Sequence, residues 1–284
     1  MMLAPAAIYI GALIGFPLLL ALYLSLSNAT TGSQTLQYVG WANFARALDS
    51  SIFRSALANT ITFTVVSQAA VIVLGNVLAL TLQENFVGRP VVRFLILLPW
   101  AAPVALGAIG WKWMFDSLYS VVNWMLRAVH IIGPRDFPQW LGVTKLAMAA
   151  IITVHVWRML PFAAVVLLAG LTSMPQEILD AASVDGAGFL DRLFRIILPM
   201  LLPIVLVAVL FGTVFTSTDL ATVFILTQGG PFNTTHVLAS WAFQKGIIAG
   251  DLAEGAAVAL FLLPVLLAVA VIMLRMASRS EAGV

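Results

Sequence analysis

Of 284 residues, 62% are apolar and only 9% charged, with 14 Lys and Arg against 12 Asp and Glu for a formal net charge of +2. A chain of this length cannot hide so much apolar surface in a water-soluble core, so composition excludes a soluble globular domain and implies lipid as the solvent. The small positive balance comes with no cluster of Lys and Arg interleaved with aromatics, which argues against nucleic acid as a partner, and the lack of cysteine removes disulfide and thiolate chemistry.

The apolar residues fall in runs of roughly 20 or more, the length a helix needs at about 1.5 Å per residue to cross a hydrocarbon core of about 30 Å. A β-barrel would alternate in short segments instead, and no such pattern occurs. The expected fold is therefore all-α and integral to the membrane, a single domain over 1–284 with about six transmembrane helices near 3–27, 56–82, 93–115, 146–171, 198–226 and 253–275. The first stretch, Leu3 to Leu26, has no basic leader and is too long for a signal-peptide core, so it reads as a retained span. After it, Trp41-Ala-Asn-Phe-Ala-Arg-Ala-Leu48 has the pattern of a short interfacial helix. Gln83 to Val92 is a tight loop with Gly88 and Pro90. Asp116 to Lys145 holds a second amphipathic helix, Val121 to Val129, and a turn at Gly133-Pro134. Trp111 and Trp113 suit the interfacial belt, with Lys112 reaching out to headgroups.

An even number of spans puts both termini on one side. The Lys/Arg bias does not say which: Arg89, Arg93, Arg192, Arg195, Arg275 and Arg279 stand against Arg46, Arg54, Arg127, Arg135, Lys145 and Lys245. Orientation must come from the polar connection 172–199. There, Met174 to Pro199 reads as helix, glycine break, helix: Pro175 suits a first turn, Glu177 and Asp180 complement the positive helix start, Asp185-Gly186 makes the turn, and Leu190, Phe194 and Ile197 form an apolar stripe. Two short helices meeting outside the membrane would make a projecting knob.

This run resembles the EAA loop of ABC importer permeases, written Glu-Ala-Ala, three residues, Gly, nine residues, Ile, any residue, Leu-Pro. Here it stands as Asp180-Ala181-Ala182, Gly186 and Ile196-Ile197-Leu198-Pro199, with Asp in place of the leading Glu. Further signatures narrow the resemblance to carbohydrate-type permeases of the maltose-type first-subunit kind: Val39-Gly40-Trp41-Ala42-Asn43-Phe44, Asn59-Thr60, Leu98-Pro99-Trp100-Ala101-Ala102-Pro103, Trp111-Lys112-Trp113-Met114-Phe115, Val122-Asn123 and Leu226-Thr227-Gln228-Gly229-Gly230-Pro231. The resemblance implies the type I ABC importer permease fold, with the EAA loop as a cytoplasmic coupling helix that docks on an ATPase subunit through Glu177, Leu179, Asp180, Ala181, Ala182, Asp185, Gly186 and Ala187. It also implies a bacterial or archaeal cytoplasmic (inner) membrane, both termini in the cytoplasm, a second related permease subunit, two copies of the ATPase and an extracytoplasmic sugar-binding protein. No Gly-x-x-x-x-Gly-Lys-Ser/Thr loop is present, so ATP and Mg belong to the partner and this chain binds no cofactor and catalyses no reaction.

Charged groups inside spans are costly and usually face a cavity or a partner. Arg158 falls near the middle of the fourth span and Asp219 in the outer part of the fifth. His155, Arg158, Met159 and Phe162 share one helical face, as do Gly212, Phe215, Thr216 and Asp219 on the next span. By resemblance to the maltose-type permeases, positions matching these faces, together with Trp100, line the sugar site. Aromatic rings suit the apolar face of a pyranose, and polar side chains suit its hydroxyls. The structural alternative is an Arg158–Asp219 ion pair with His155 as an interhelical hydrogen-bonding group. Because Arg158 is charged, glycerol phosphate, a polyol or an amino sugar stays open as cargo.

Two other classes compete. A secondary transporter would show internal repeats, and none is evident. A membrane enzyme would need clustered carboxylates or histidines, whereas His130, His155 and His236 fall on separate elements.

Overall fold

The computed structural model describes the backbone of residues 8–281 and the side chains up to residue 277. In chain order the helices are α1 (Ile8–Ser25), α2 (Ala42–Asp49), α3 (Ser51–Gln83), α4 (Arg89–Ala101), α5 (Val104–Met114), α6 (Val121–Ala128) and α7 (Thr144–Thr172). There follow α8 (Gln176–Val184), α9 (Phe189–Ser217), α10 (Leu220–Thr227), α11 (Leu238–Phe243), α12 (Leu252–Leu260) and α13 (Leu262–Glu281). Among the described residues, extended pairing is limited to an isolated antiparallel bridge between Ser27 and Tyr38. Five stretches are long and apolar enough to cross a membrane: α1, α3, α7, α9, and Leu252–Ala277 across α12 and α13. The bent pair α4 and α5, counted together as one span, would make a sixth. Residues 3–7 of the expected first span, and the side chain of Arg279, lie outside the described residues.

Two of the expected spans are not single rods. The stretch 93–115 bends by 93° between α4 and α5. Pro103 has no N–H to give and disfavours helical backbone at the residue before it, and Ala102 is extended with ψ 145°. The stretch 198–226 breaks at Thr218 and Asp219, where the Asp219 side chain accepts the Thr222 N–H and starts α10 afresh. The second arm of the polar connection also differs from expectation. It is no separate short helix, because α9 runs from Phe189 through a π turn at Leu193–Ile197 into the membrane stretch that ends at Ser217. Pro175 sits one residue ahead of α8 rather than inside its first turn.

The core lies where α3 and α7 pack side by side and α9 crosses both. Val71, Val156, Met159 and Ala163 fill one layer between them, and Ala79, Leu167, Leu171 and Leu201 fill the next. By contrast α1 is almost wholly exposed and touches the body chiefly through α12, leaving its leucines to lipid. Trp113 is exposed as a belt residue should be, but Trp111 turns inward, edge-on to Trp157 at 5.6 Å and tilted against Phe115 at 5.3 Å.

Several polar signature residues prove to be struts. Asn43 donates to the carbonyls of Ser25 and Ser27 at 2.6 and 2.7 Å, tying α2 to the end of α1. Asn59 donates to the carbonyls of Thr234 and His236, Thr60 accepts the Leu238 N–H, and Asn123 accepts the Trp140 indole N–H. Backbone groups that a loop would otherwise leave unpaired in a low-dielectric setting are satisfied this way.

On the opposite edge α12 meets the π turn Gln244–Ile248 so closely that a Cβ on Gly255 would collide with the Gly246 backbone. Backbone cannot yield as a flexible side chain can. Gly255→Leu is therefore expected to cost about 1–3 kcal/mol of stability, read as a lower thermal midpoint in detergent. Gly110→Leu, where nothing lies within 4 Å, should leave that midpoint in place. Equal midpoints for the two variants would remove the close approach as the reason.

Candidate functional site

The break after α9 creates the site. By ending one helix at Ser217 and starting another at Leu220, the chain turns the Asp219 carboxylate toward α7. Asp219 Oδ2 then accepts from His155 Nδ1 at 2.7 Å, Arg158 Nη2 at 3.0 Å and Thr222 Oγ1 at 2.7 Å, while Oδ1 accepts the Thr222 N–H at 3.0 Å. Behind this cluster, His155 Nε2 lies 2.8 Å from Thr216 Oγ1, which also accepts from Gln68 Nε2 at 2.7 Å. The ring of Phe63 stands edge-on to His155 at 4.9 Å. A chain of hydrogen bonds thus runs from α7 through the α9–α10 break to α3, with every link inside the body of the subunit.

In front of the cluster lies an open cavity of about 500 Å³ between α5, α7, α9, α10 and α11. Arg158, Phe215, Thr218 and Asp219 form its polar and aromatic wall, and Val104, Leu220, Ala221, Phe224, Ile225 and Phe243 its apolar remainder. Phe215 is shared with a neighbouring apolar cavity of about 340 Å³ that includes Phe162 and Phe211. Trp100 stacks on Phe162 at 6.0 Å and 23°, and Phe162 meets Phe215 edge-on at 6.0 Å, so three aromatic rings continue the wall away from the charged pair. Trp100 and Phe215 are each about half exposed.

Of the nine residues expected at a substrate site, Arg158, Phe215 and Asp219 border the main cavity and Trp100 and Phe162 adjoin it. The other four lie behind the surface. His155 and Thr216 are fully buried supports of Asp219, Met159 packs against Val71 and Ala163, and Gly212 makes room for the Gln68 side chain. Helical spacing gathered eight of them into two faces, but half of each face turns toward the core. The structural ion pair weighed from the sequence is formed, and it also borders the cavity. Sequence reasoning missed Gln68 and Thr222. Asp219 is an N-cap residue type inside an apolar run, a signal that could have found the break.

At the other end of α9 the polar connection forms a second surface. α8 stops at Val184, Gly186 takes φ +78°, and α9 begins, with Arg192 Nη1 donating to Ser183 Oγ across the two arms at 2.9 Å. Glu177, Asp180, Ala181, Asp185 and Gly186 are exposed, Leu179 and Ala187 half-buried, and Ala182 buried. A depression of about 460 Å³ is lined by Glu177, Ala181, Ala182, Asp185 and Ala187, with Ile178 and Ile196 added by the fold. Leu179, Asp180 and Gly186 lie outside that lining. Phe189, Leu190 and Phe194 are each more than half exposed on the adjoining arm. Apolar groups gathered on a polar tip mark a surface made to be covered.

Comparison with known proteins gives concordant matches. The family described as binding-protein-dependent transport system inner membrane component matches residues 71–280. The trehalose/maltose transport system permease protein MalF of Thermococcus litoralis is 31% identical, over 97% of this chain and 92% of the relative. The sulfoquinovosyl glycerol transport system permease protein SmoG of Agrobacterium fabrum is also 31% identical, over 97% and 88%. A chain of a bacterial alginate ABC transporter, solved in complex with an alginate pentasaccharide-bound periplasmic protein, superposes with a TM-score of 0.80 at 23% identity, covering 98% of this chain and 93% of that one. At that identity the likeness speaks for the fold.

Proposed function

The chain belongs to the family of binding-protein-dependent transport system inner membrane components, and from that premise we propose that it forms one half of an ATP-driven import path for a sugar. The observation that carries this reading is the unbroken helix α9. Its 29 residues span roughly 43 Å from the exposed turn at Gly186 to the break beside Asp219. A force applied at the turn can move the cavity wall without passing through a flexible joint.

In this reading the α8 surface docks on a cytoplasmic ATPase subunit through Glu177, Leu179, Asp180, Ala181, Ala182, Asp185, Gly186 and Ala187. The docking side is then cytoplasmic, and both termini lie there too. ATP and Mg are held by that partner, since the sequence carries no phosphate loop. The membrane is a bacterial or archaeal inner membrane, and the cargo arrives from an extracytoplasmic binding protein. Arg158, Phe215 and Asp219 act at the cavity with Trp100 and Phe162 alongside, while His155, Met159, Gly212 and Thr216 support them from behind. Neutral and acidic carbohydrates both occur in the names of similar transporters, so a sugar is the common denominator.

A cavity walled on one side by a single subunit requires a second wall. Expression with its neighbouring permease, ATPase and binding protein should yield one copy of this chain, one related permease and two ATPases, with ATP hydrolysis stimulated by the loaded binding protein. Native mass spectrometry of the purified complex checks the stoichiometry. Two copies of this chain without a second permease, or a complex lacking an ATPase, would contradict the assignment.

A further inference from the structure

We propose that this half-site selects an uncharged sugar, and that Asp219, by cancelling the charge of Arg158, is the residue that turns anionic sugars away. The inference rests on the sugar-import reading above. Arg158 and Asp219 are the charged residues among those that line the cavity, and they are joined at 3.0 Å. Asp219 is 6% exposed and receives four donors, so its capacity is spent inside the protein and its part toward cargo is electrostatic. Arg158 is different: its side chain keeps 18% of its surface against 3% for Asp219, so the guanidinium is the part of the pair that an incoming oxygen can reach.

A bare arginine would grip a carboxylate or sulfonate through two parallel hydrogen bonds. With Asp219 already bonded to Nη2 at 3.0 Å, a second anion gains little net positive charge and meets a like charge across the guanidinium, whereas a hydroxyl loses nothing by it. His155 stands behind Asp219 with no exposed surface, so cargo does not reach it, and both ring nitrogens are engaged inside the protein, Nδ1 at 2.7 Å from Asp219 Oδ2 and Nε2 at 2.8 Å from Thr216 Oγ1. The aromatic wall at Phe215 supplies a face for the apolar side of a pyranose.

The test uses the complete complex of permeases and ATPase without binding protein, so that the cavity alone is read. Two probes share a ring and a glycerol and differ in charge: glucosyl glycerol carries a hydroxyl at C6 and sulfoquinovosyl glycerol a sulfonate. Saturation-transfer NMR, which reads weak ligands, should show the neutral probe bound about ten-fold or more tighter, the factor one hydrogen bond to a charged group is worth. Asp219→Asn should abolish or invert that ratio, and Arg158→Gln with Asp219→Asn should restore the neutral preference at weaker affinity. The wild-type ratio needs no variant to fold. Equal or tighter binding of the sulfonate by the wild type, or an unchanged ratio in Asp219→Asn, overturns the proposal alone. Binding of neither probe, nor of trehalose or maltose, removes the sugar reading and this inference with it.

Discussion

Arg158→Leu is expected to lower the thermal stability of the subunit by about 3 kcal/mol, the lower end of what breaking a buried pair from one side costs, because the arginine stands at the rim of an open cavity. The change leaves the buried Asp219 carboxyl with only His155 and Thr222 as partners. Composition alone suggests the reverse, that removing a charge from a span makes insertion easier. The reversal follows from the 3.0 Å contact: the charge is already compensated, so its removal exposes a second one. Combining Arg158→Leu with Asp219→Asn should recover most of the loss. Asparagine keeps an oxygen for the Thr222 N–H at the start of α10, whereas Asp219→Leu would also forfeit that cap, worth about 1 kcal/mol. Uptake should stay low in both variants, since the cavity has lost its guanidinium. Thermal unfolding in detergent and uptake by cells, measured on the singles and the double, decide the matter. A single mutant as stable as the wild type would show that the pair contributes nothing to stability, and normal uptake in a stable Arg158→Leu protein would remove the residue from the site.

Gly186→Ile should abolish transport while leaving the subunit folded. Nothing lies within 4 Å of the position, so the side chain has room and bulk is not the obstacle. The obstacle is the backbone: at φ +78° a Cβ costs about 1–2 kcal/mol, and β-branching adds to it. An exposed turn relieves that strain by changing shape, which swings α8 relative to the start of α9 and misaligns the docking surface. Gly186→Asn, which tolerates the left-handed region, should keep most of the activity. Ala181→Trp, filling the depression beside it, should fail like Gly186→Ile without any backbone strain. The measurement is ATP hydrolysis by the reconstituted complex with loaded binding protein, expected to fall at least about ten-fold in both failing variants, a loss of roughly 1.4 kcal/mol in coupling. Full stimulated hydrolysis in either would sink the coupling assignment.

Much of this was legible in the sequence because it rests on local chemistry. Apolar runs of about 20 residues give the spans, and Gly186 marks the turn. Each depends on a few neighbouring residues, as does the pattern of the polar connection, and so a single chain displays them.

The breaks that make the cavity were decided only by the tertiary structure. Pro99, Pro161 and Pro203 sit inside helices that continue, while Pro103 ends one, so a proline in an apolar run does not reveal which span bends. Helical spacing correctly gathered His155, Arg158, Met159 and Phe162, yet it could not say that His155 and Met159 face α3 while Arg158 faces the cavity. Helical rise along two straight spans sets Arg158 and Asp219 roughly 8 Å apart in depth, whereas their side chains meet at 3.0 Å beside the break that follows Ser217. The contacts that settle these points join residues 61 and 148 positions apart, Arg158 to Asp219 and Gln68 to Thr216. A helix carries its own hydrogen bonds and its own apolar stripe, but which side of it is buried depends on the neighbours it packs against, and that information is held by the assembled bundle.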